Sequence, residues 1–503
     1  MLFNSYLFIF VFLPAAVGGY YLANIWAGRR VAILYLILAS LFYYSYWNPA
    51  YFFLIGFSIC MNYLFGIYLS RLSSEGQKPK AVLAVGVGAN LAIIGYYKYA
   101  NFFVDNLNEL AGTSFHLDSI ILPLAISFFT FQQIAYLVDA FKGKLSQNNF
   151  VNYCLFVTFF PQLIAGPIVH HKEMLPQFAG QETGRLIIAN LSIGLTIFFV
   201  GLFKKVVMAD NIAMYATVVF EAAENGVALT MAEAWAGSLA YSLQIYFDFS
   251  GYSDMAIGLA QMFGIRLPLN FHSPYKAVNI IEFWRRWHMT LSRFLREYLY
   301  FPLGGSWHGS SRRYANVAIT MILGGLWHGA GWTFIIWGGL HGAYIIVNHA
   351  WQNLRTRVRL GDRQGSWLGV GVSRSVTFLS VTVAWVFFRA ESLEGAMVIV
   401  EGMSGINGWM PVRVELGTDL LGGKRELVWL LALVGIAWFA PNTQQIMADH
   451  KPAAIPDRQG LSSDCLKFFR WQPSLMWSLA IGAVALAGVI GLTRVSEFLY
   501  FQF

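Results

Sequence analysis

The sequence predicts an all-α, polytopic membrane protein, and three observations carry that prediction. Apolar residues make up 57 % of the 503-residue chain and charged residues only 12 %, about half the roughly 25 % charge of an ordinary soluble domain. The apolar residues gather in runs that approach the roughly 20 residues needed to cross a bilayer. Lys and Arg alternate between the connections of the first five runs, as the positive-inside rule requires. So little polar surface excludes a disordered chain, a collagen-like repeat and a simple soluble enzyme. The net charge of +8 reads as the basic cytoplasmic loops of a membrane protein, with no nucleic acid as partner.

In chain order the runs fall near 5–24, 31–47, 50–69, 81–97, 119–139, 151–169, 186–203, 232–248, 314–327, 332–349, 373–389, 427–440 and 474–493. About 11–13 membrane segments are expected. The first lacks a basic region ahead of its apolar core, so it reads as a retained span rather than a cleaved signal peptide. Arg29 and Arg30 follow the first run, Arg71, Lys78 and Lys80 the third, and Lys142 and Lys144 the fifth. The intervening turns, 47–50 and about 101–118, carry no Lys or Arg. This places the N-terminus outside and loops one, three and five in the cytoplasm. Beyond residue 150 the alternation blurs, as His170, His171, Lys172, Arg185, Lys204 and Lys205 crowd together. Re-entrant helices explain this, and 161–167 (PQLIAGP) has the Pro and Gly interruptions of one. The polar stretches 351–372, 407–427 and 444–472 are too short for cores of their own. Residues 1–503 therefore read as one membrane-embedded domain, with core motifs at 244–349 and C-terminal helices over 373–503. Cys60, Cys154 and Cys465 are far apart and odd in number, which offers neither a disulfide framework nor a metal cluster.

GxSxG, HExxH, GxGxxG and GxxxxGK[ST] are all absent. Residues with chemistry to offer concentrate between 244 and 349. Read as one helix, 280–300 (IIEFWRRWHMTLSRFLREYLY) puts Glu282, Arg285, Arg286, Arg293, Arg296 and Glu297 within roughly 120° of each other. Its aromatic and aliphatic residues, and His288, take the other side. Such a helix lies at the headgroups of membrane lipid or lines a polar cavity. Its guanidinium groups suit phosphates. His288 on the apolar side has a plain structural alternative: a histidine bonded to a buried carbonyl.

Residues 323–349 (LGGLWHGAGWTFIIWGGLHGAYIIVNH) place His328 in an uncharged, glycine-rich, aromatic segment. An ionisable group inside a membrane is a functional candidate. Gly324, Gly325, Gly329 and Gly331 permit close helix packing or leave room for a thin substrate, with Trp327 and Trp332 placed to wall its path. His341 would face away from His328 on an unbroken helix. In 244–258 (QIYFDFSGYSDMAIG), Asp248 and Asp254 interrupt an apolar run. Ser250, Gly251 and Ser253 suggest a helix break there, with the aspartates bonded to freed backbone N–H groups or to an arginine of 285–296.

Taken together, 246–258 (YFDFSGYSDMAIG), 270–275 (NFHSPY), 282–305 (EFWRRWHMTLSRFLREYLYFPLGG) and 324–342 (GGLWHGAGWTFIIWGGLHG) resemble the membrane-bound O-acyltransferase (MBOAT) family. The likeness is strongest to its bacterial branch of alginate O-acetylation membrane subunits. Weaker likeness covers 97–103, 122–139 and 160–169, and the last 150 residues match only in being hydrophobic. The resemblance implies a ring of tilted helices around a central tunnel. It maps the family's invariant histidine onto His328 and a second histidine onto His288. It also implies that an acetyl group crosses the bacterial inner membrane to an extracytoplasmic SGNH-type acetyltransferase and its polysaccharide machinery. The donor expected is acetyl-CoA or another acyl thioester used as co-substrate, with no permanently bound cofactor and no metal.

A thioester needs only a base for the accepting hydroxyl and donors for the developing oxyanion. His328 is the natural base, because an imidazole titrates near neutrality and burial keeps it neutral. Arg285, Arg286, Arg293 and Arg296 are candidates to draw in the donor's phosphates, or else to meet lipid headgroups. Two other readings are a transporter or flippase, with Asp248, Asp254 and His328 as a proton relay, and a scaffold of a polysaccharide-export complex.

Overall fold

A computed structural model describes residues 1–145, 149–180, 184–358, 366–409, 424–454 and 467–493. Among the described residues every regular element is a helix, and Pro268 and Ala454 form one isolated β-bridge. A π turn over Phe8–Phe12 leads into α1 (Leu13–Ala27). Gly28, at φ +81°, makes the corner into α2 (Arg29–Ser45). Next come α3 (Ala50–Ser74) and α4 (Lys80–Ile94), which passes through a π turn at Gly95–Tyr99 into α5 (Ala100–Ala111). Phe8–Ala27, Ala50–Ser74 and Lys80–Ala111 are long and apolar enough to cross a membrane. Trp26, Phe53 and Leu64 on their outer faces are 82 %, 75 % and 67 % exposed, a surface suited to lipid rather than water.

The fifth expected run starts as a helix only at α6 (Ile126–Phe141). Pro123 disfavours helix in the residue before it, and Ala125 turns the chain at φ +63°. From the basic end of α6 the chain dips inward through α7 (Phe150–Thr158) and α8 (Phe160–Leu163), then returns to α9 (His171–Ala179). Tyr153 donates its hydroxyl to Gln133 of α6 at 3.1 Å, and the Phe160 amide reaches Ser40 of α2 at 3.2 Å. On the way back Lys172 pairs with Asp139, near the end of α6, at 3.1 Å. This is a re-entrant excursion, and 161–167 lies at its inner turn.

Contacts between loops gather the basic residues at one end. Arg29 donates to the carbonyls of Ala179 and Gly180 at 2.9 and 3.0 Å. Ser73 donates to the Phe141 carbonyl at 2.9 Å. Loops three and five therefore meet, and loop one meets the end of α9.

Helix α10 (Ile188–Phe203), a π turn at Lys204–Ala209 and α11 (Asp210–Glu224) make a fourth long apolar stretch. It packs on α12 (Met231–Met262), in which every residue from 240 onward is buried. Helix α12 is continuous, so the break expected at Ser250–Ser253 does not occur. Its glycines serve packing instead. A Cβ on Gly194 would lie 2.6 Å from the Gly258 carbonyl oxygen, and one on Gly251 2.7 Å from that of Gly201. The two backbones touch, as small residues allow in membranes.

After α12 the chain turns back along it. Tyr275, in a 3-10 turn at Pro274–Lys276, donates to the Ser242 carbonyl at 2.6 Å. The predicted single helix over 280–300 is instead α13 (Ile280–Arg286), α14 (Met289–Leu295) and a π turn at Arg296–Tyr300. His288 sits between them at φ +40°. Its neighbour Met289 donates its amide to the Asn270 carbonyl at 2.9 Å. Tertiary bonds thus overrode a helical pattern. Helices α15 (Gly309–His328), α16 (Trp332–Arg357), α17 (Trp367–Arg389), α18 (Leu393–Met403), α19 (Lys424–Phe439), α20 (Thr443–Ile446) and α21 (Leu475–Gly491) follow. Of these α17 is the fifth long apolar stretch, with shorter apolar helices at Leu427–Phe439 and Leu475–Gly491. Cys60 and Cys154 are free thiols; Cys465 lies outside the described residues.

Candidate active site

Helix α15 ends at His328 because Gly329 and Gly331 take extended backbone before α16 begins. The two helices cross backbone to backbone. A Cβ on Gly325 would strike the Phe334 carbonyl, and one on Gly338 the Met321 carbonyl. This approach brings Trp337 against the His328 ring at 5.2 Å between centroids, with Phe388 of α17 at 5.0 Å and Trp327 at 4.8 Å. The ring is 5 % exposed, and its Nδ1 is buried without a hydrogen-bond partner.

His288 stands next to it, ring centroids 6.4 Å apart. The backbone break turns this histidine into the protein core, where it is fully buried. Its Nδ1 lies 3.1 Å from Oδ1 of Asn270. That oxygen also accepts from the Thr290 hydroxyl at 2.9 Å and the Thr290 amide at 3.3 Å. A backbone N–H can only donate, so the Asn270 carboxamide must present its oxygen here. His288 Nδ1 is then the protonated nitrogen, and Nε2 keeps a bare lone pair. That Nε2 is buried without a partner, as are the indole N–H groups of Trp327 and Trp337. Unpaired buried polar atoms are rare in native proteins; here several surround one imidazole pair.

A cavity of about 60 Å³ reaches His328, lined also by Lys98, residues 122–128, Ile164 and Trp327. The 122–128 stretch follows the turn without Lys or Arg, so this cavity lies toward the end opposite the basic loops. A smaller cavity of about 10 Å³ is lined by Lys204, Ser253, Asp254, Asn270, Asn442 and Gln444, among others. Asn270 joins it to His288. The imidazole pair thus borders one cavity at His328 and touches the lining of the second through Asn270.

The remaining predicted residues are placed as follows. Asp248 and Asp254 pair with lysines. Lys205, 1 % exposed, lies 2.7 Å from Asp248 and 2.8 Å from Asp210, and Lys204 lies 2.8 Å from Asp254. The arginines do not share one face. Arg286 pairs with Glu282 at 2.6 Å, Arg293 grips Glu173 with both terminal nitrogens, and Arg285 and Arg296 are exposed. Trp327 lines the larger cavity, while Trp332 is 53 % exposed and donates to Asn106 at 2.9 Å. His341 accepts from the Trp284 indole at 3.3 Å within an aromatic cluster. Asn270, Thr290 and Lys98 were not singled out from sequence. Asn270 stands in NFHSPY and Lys98 in YKYANFF, but only the folded chain brings either to an imidazole.

The family model described as MBOAT, membrane-bound O-acyltransferase, matches residues 140–387. A peptidoglycan O-acetyltransferase of Helicobacter pylori is 46 % identical over 81 % of this chain and 80 % of its own. A probable alginate O-acetylase, AlgI, of Pseudomonas putida is 38 % identical over the whole of both chains. A teichoic acid D-alanyltransferase of Streptococcus thermophilus is 25 % identical over 61 % of this chain and 83 % of its own. The matched region contains both buried histidines, and the chain belongs to the membrane-bound O-acyltransferase family, as an acyltransferase.

Proposed function

We propose that this protein is a bacterial inner-membrane O-acetyltransferase that accepts an acetyl group from a thioester on the cytoplasmic side, acetyl-CoA being the simplest, and delivers it to the far side of the membrane. The recipient of the pathway is an extracytoplasmic polysaccharide such as alginate. The final ester is made with an SGNH-type partner. One observation carries the reading: a buried imidazole pair borders a cavity toward the end opposite the basic loops and, through Asn270, a second cavity.

In this reading His328 is the base. The accepting hydroxyl oxygen attacks the thioester carbonyl carbon while its proton passes to the His328 imidazole. The carbonyl π electrons move onto oxygen. Collapse re-forms the carbonyl, expels the thiolate and returns the proton to that sulfur, leaving an ester, a free thiol and neutral His328. Aromatic walls exclude bulk water, which limits hydrolysis. His288, held by Asn270, turns its bare Nε2 toward the reacting group and positions it. The close α15–α16 crossing fixes His328 to the tolerance such chemistry needs, where about 1 Å of displacement costs on the order of 10²-fold in rate.

The test is His328→Ala at native expression, with polymer-bound acetate measured by mass spectrometry. The expected result is loss of acetylation with normal membrane insertion. Wild-type acetylation in that variant would overturn the reading.

A further inference from the structure

We propose that Lys98 is a second catalytic residue, whose ammonium holds the oxyanion formed when the acyl carbonyl is attacked beside His328. The proposal rests on the reading of His328 as the base and adds the electrostatic half of the reaction. Lys98 lies in the π turn at Gly95–Tyr99. Its Nζ donates to the carbonyls of Trp327 and His328, at 2.6 and 3.0 Å. These carbonyls belong to the last turn of α15, where intrahelical partners run out and the helix dipole is negative.

Capping alone does not account for an ammonium here. The adjacent carbonyl, that of Leu326, is capped by the neutral hydroxyl of Tyr99 at 2.8 Å. A charge at membrane depth is costly where a neutral donor would serve. An ammonium carries three donors, and these two carbonyls are its hydrogen-bond partners among the described residues. Lys98 lines the cavity that reaches His328, and no acidic side chain is in that lining. The other contributors are Ser127, Trp327 and apolar residues of 122–128 and 164. The N-terminal turn of α6 faces the same space and adds positive potential. One base, one cation and apolar walls are what thioester attack requires. Because Lys98 is anchored on the backbone of His328 itself, the spacing between base and oxyanion donor is set by a single residue.

In the step already balanced above, the electron pair displaced from the carbonyl onto oxygen is the charge that the third N–H of Lys98 meets. The charge is absent from the ground-state thioester, so the contribution falls on kcat and not on donor binding.

The experiment compares wild type with Lys98→Met, Lys98→Gln, Lys98→Arg and Tyr99→Phe in native-host membranes supplied with acetyl-CoA. Thiol release and polymer-bound acetate are both followed. Lys98→Met and Lys98→Gln are expected to lower kcat by about 10²–10³-fold with KM for acetyl-CoA nearly unchanged. Lys98→Arg restores part of the loss, and Tyr99→Phe, which removes only a cap, stays close to wild type. The dithioester analogue of acetyl-CoA, whose sulfur accepts hydrogen bonds poorly, should slow wild type far more than Lys98→Gln. That comparison holds even if Lys98→Met does not fold. Unchanged kcat in Lys98→Gln, or equal slowing of wild type and variant by the analogue, would overturn the role of Lys98. An inactive His328→Ala alongside a fully active Lys98→Gln would remove this inference alone. An active His328→Ala would remove the base as well.

Discussion

Replacing Lys205 with Met is a severe test of how the centre of the bundle is held together. The ammonium sits at 1 % exposure between Asp248 at 2.7 Å and Asp210 at 2.8 Å. Methionine fills nearly the same volume but leaves two carboxylates facing each other without their shared cation. Breaking a buried pair by removing one partner costs about 3–5 kcal/mol. At 1.4 kcal/mol per factor of ten, the unfolded fraction rises by roughly 10²–10³·⁵-fold. The assay is thermal unfolding in detergent, read as loss of the monodisperse size-exclusion peak. The triple variant Lys205→Met, Asp210→Asn, Asp248→Asn should recover most of the loss, because no unpaired charge remains. If Lys205→Met melts with wild type, or the triple variant is no better than the single one, the two aspartates are not structural partners of this lysine.

Two further outcomes follow from the site. Asn270→Leu removes the acceptor that fixes the His288 tautomer; about 10²-fold loss of acetyl transfer is expected, with thermal stability falling far less than in Lys205→Met, and a full-rate variant would show that His288 needs no orientation. The double variant Arg285→Ala, Arg296→Ala should raise KM for acetyl-CoA by about tenfold at low salt and less at high salt if these exposed guanidiniums gather donor phosphates; an unchanged KM assigns them to lipid headgroups.

Much of the fold was legible because membrane solvation leaves coarse marks. Arg29, Arg71 and Lys142 marked one end, and the Ser73–Phe141 contact brings the loops of Arg71 and Lys142 together. Pro161 and Gly166 marked a re-entrant turn. His328 was legible because an ionisable ring among glycines and tryptophans has few innocent explanations in a membrane. The errors share a cause. The 280–300 pattern fits a helix well, yet the bonds at His288 and Met289 come from Asn270, far earlier in the chain, and no local pattern encodes them. Ser250, Gly251 and Ser253 looked like a break because local propensity does not see Gly201 pressed against Gly251. Asp248 and Asp254 were matched to arginines on residue type, while the π turn at Lys204–Ala209 delivered lysines instead.

The most direct measurement places donor and acceptor in separate compartments. The purified protein, with its SGNH-type partner on the outer face, is oriented in proteoliposomes with radiolabelled acetyl-CoA on the basic side and polysaccharide on the other. Labelled ester should accumulate on the polysaccharide in step with thiol release, and His328→Ala should abolish both. Transfer only when donor and polysaccharide share a compartment, or transfer by His328→Ala at the wild-type rate, would contradict a buried imidazole serving both faces of the membrane.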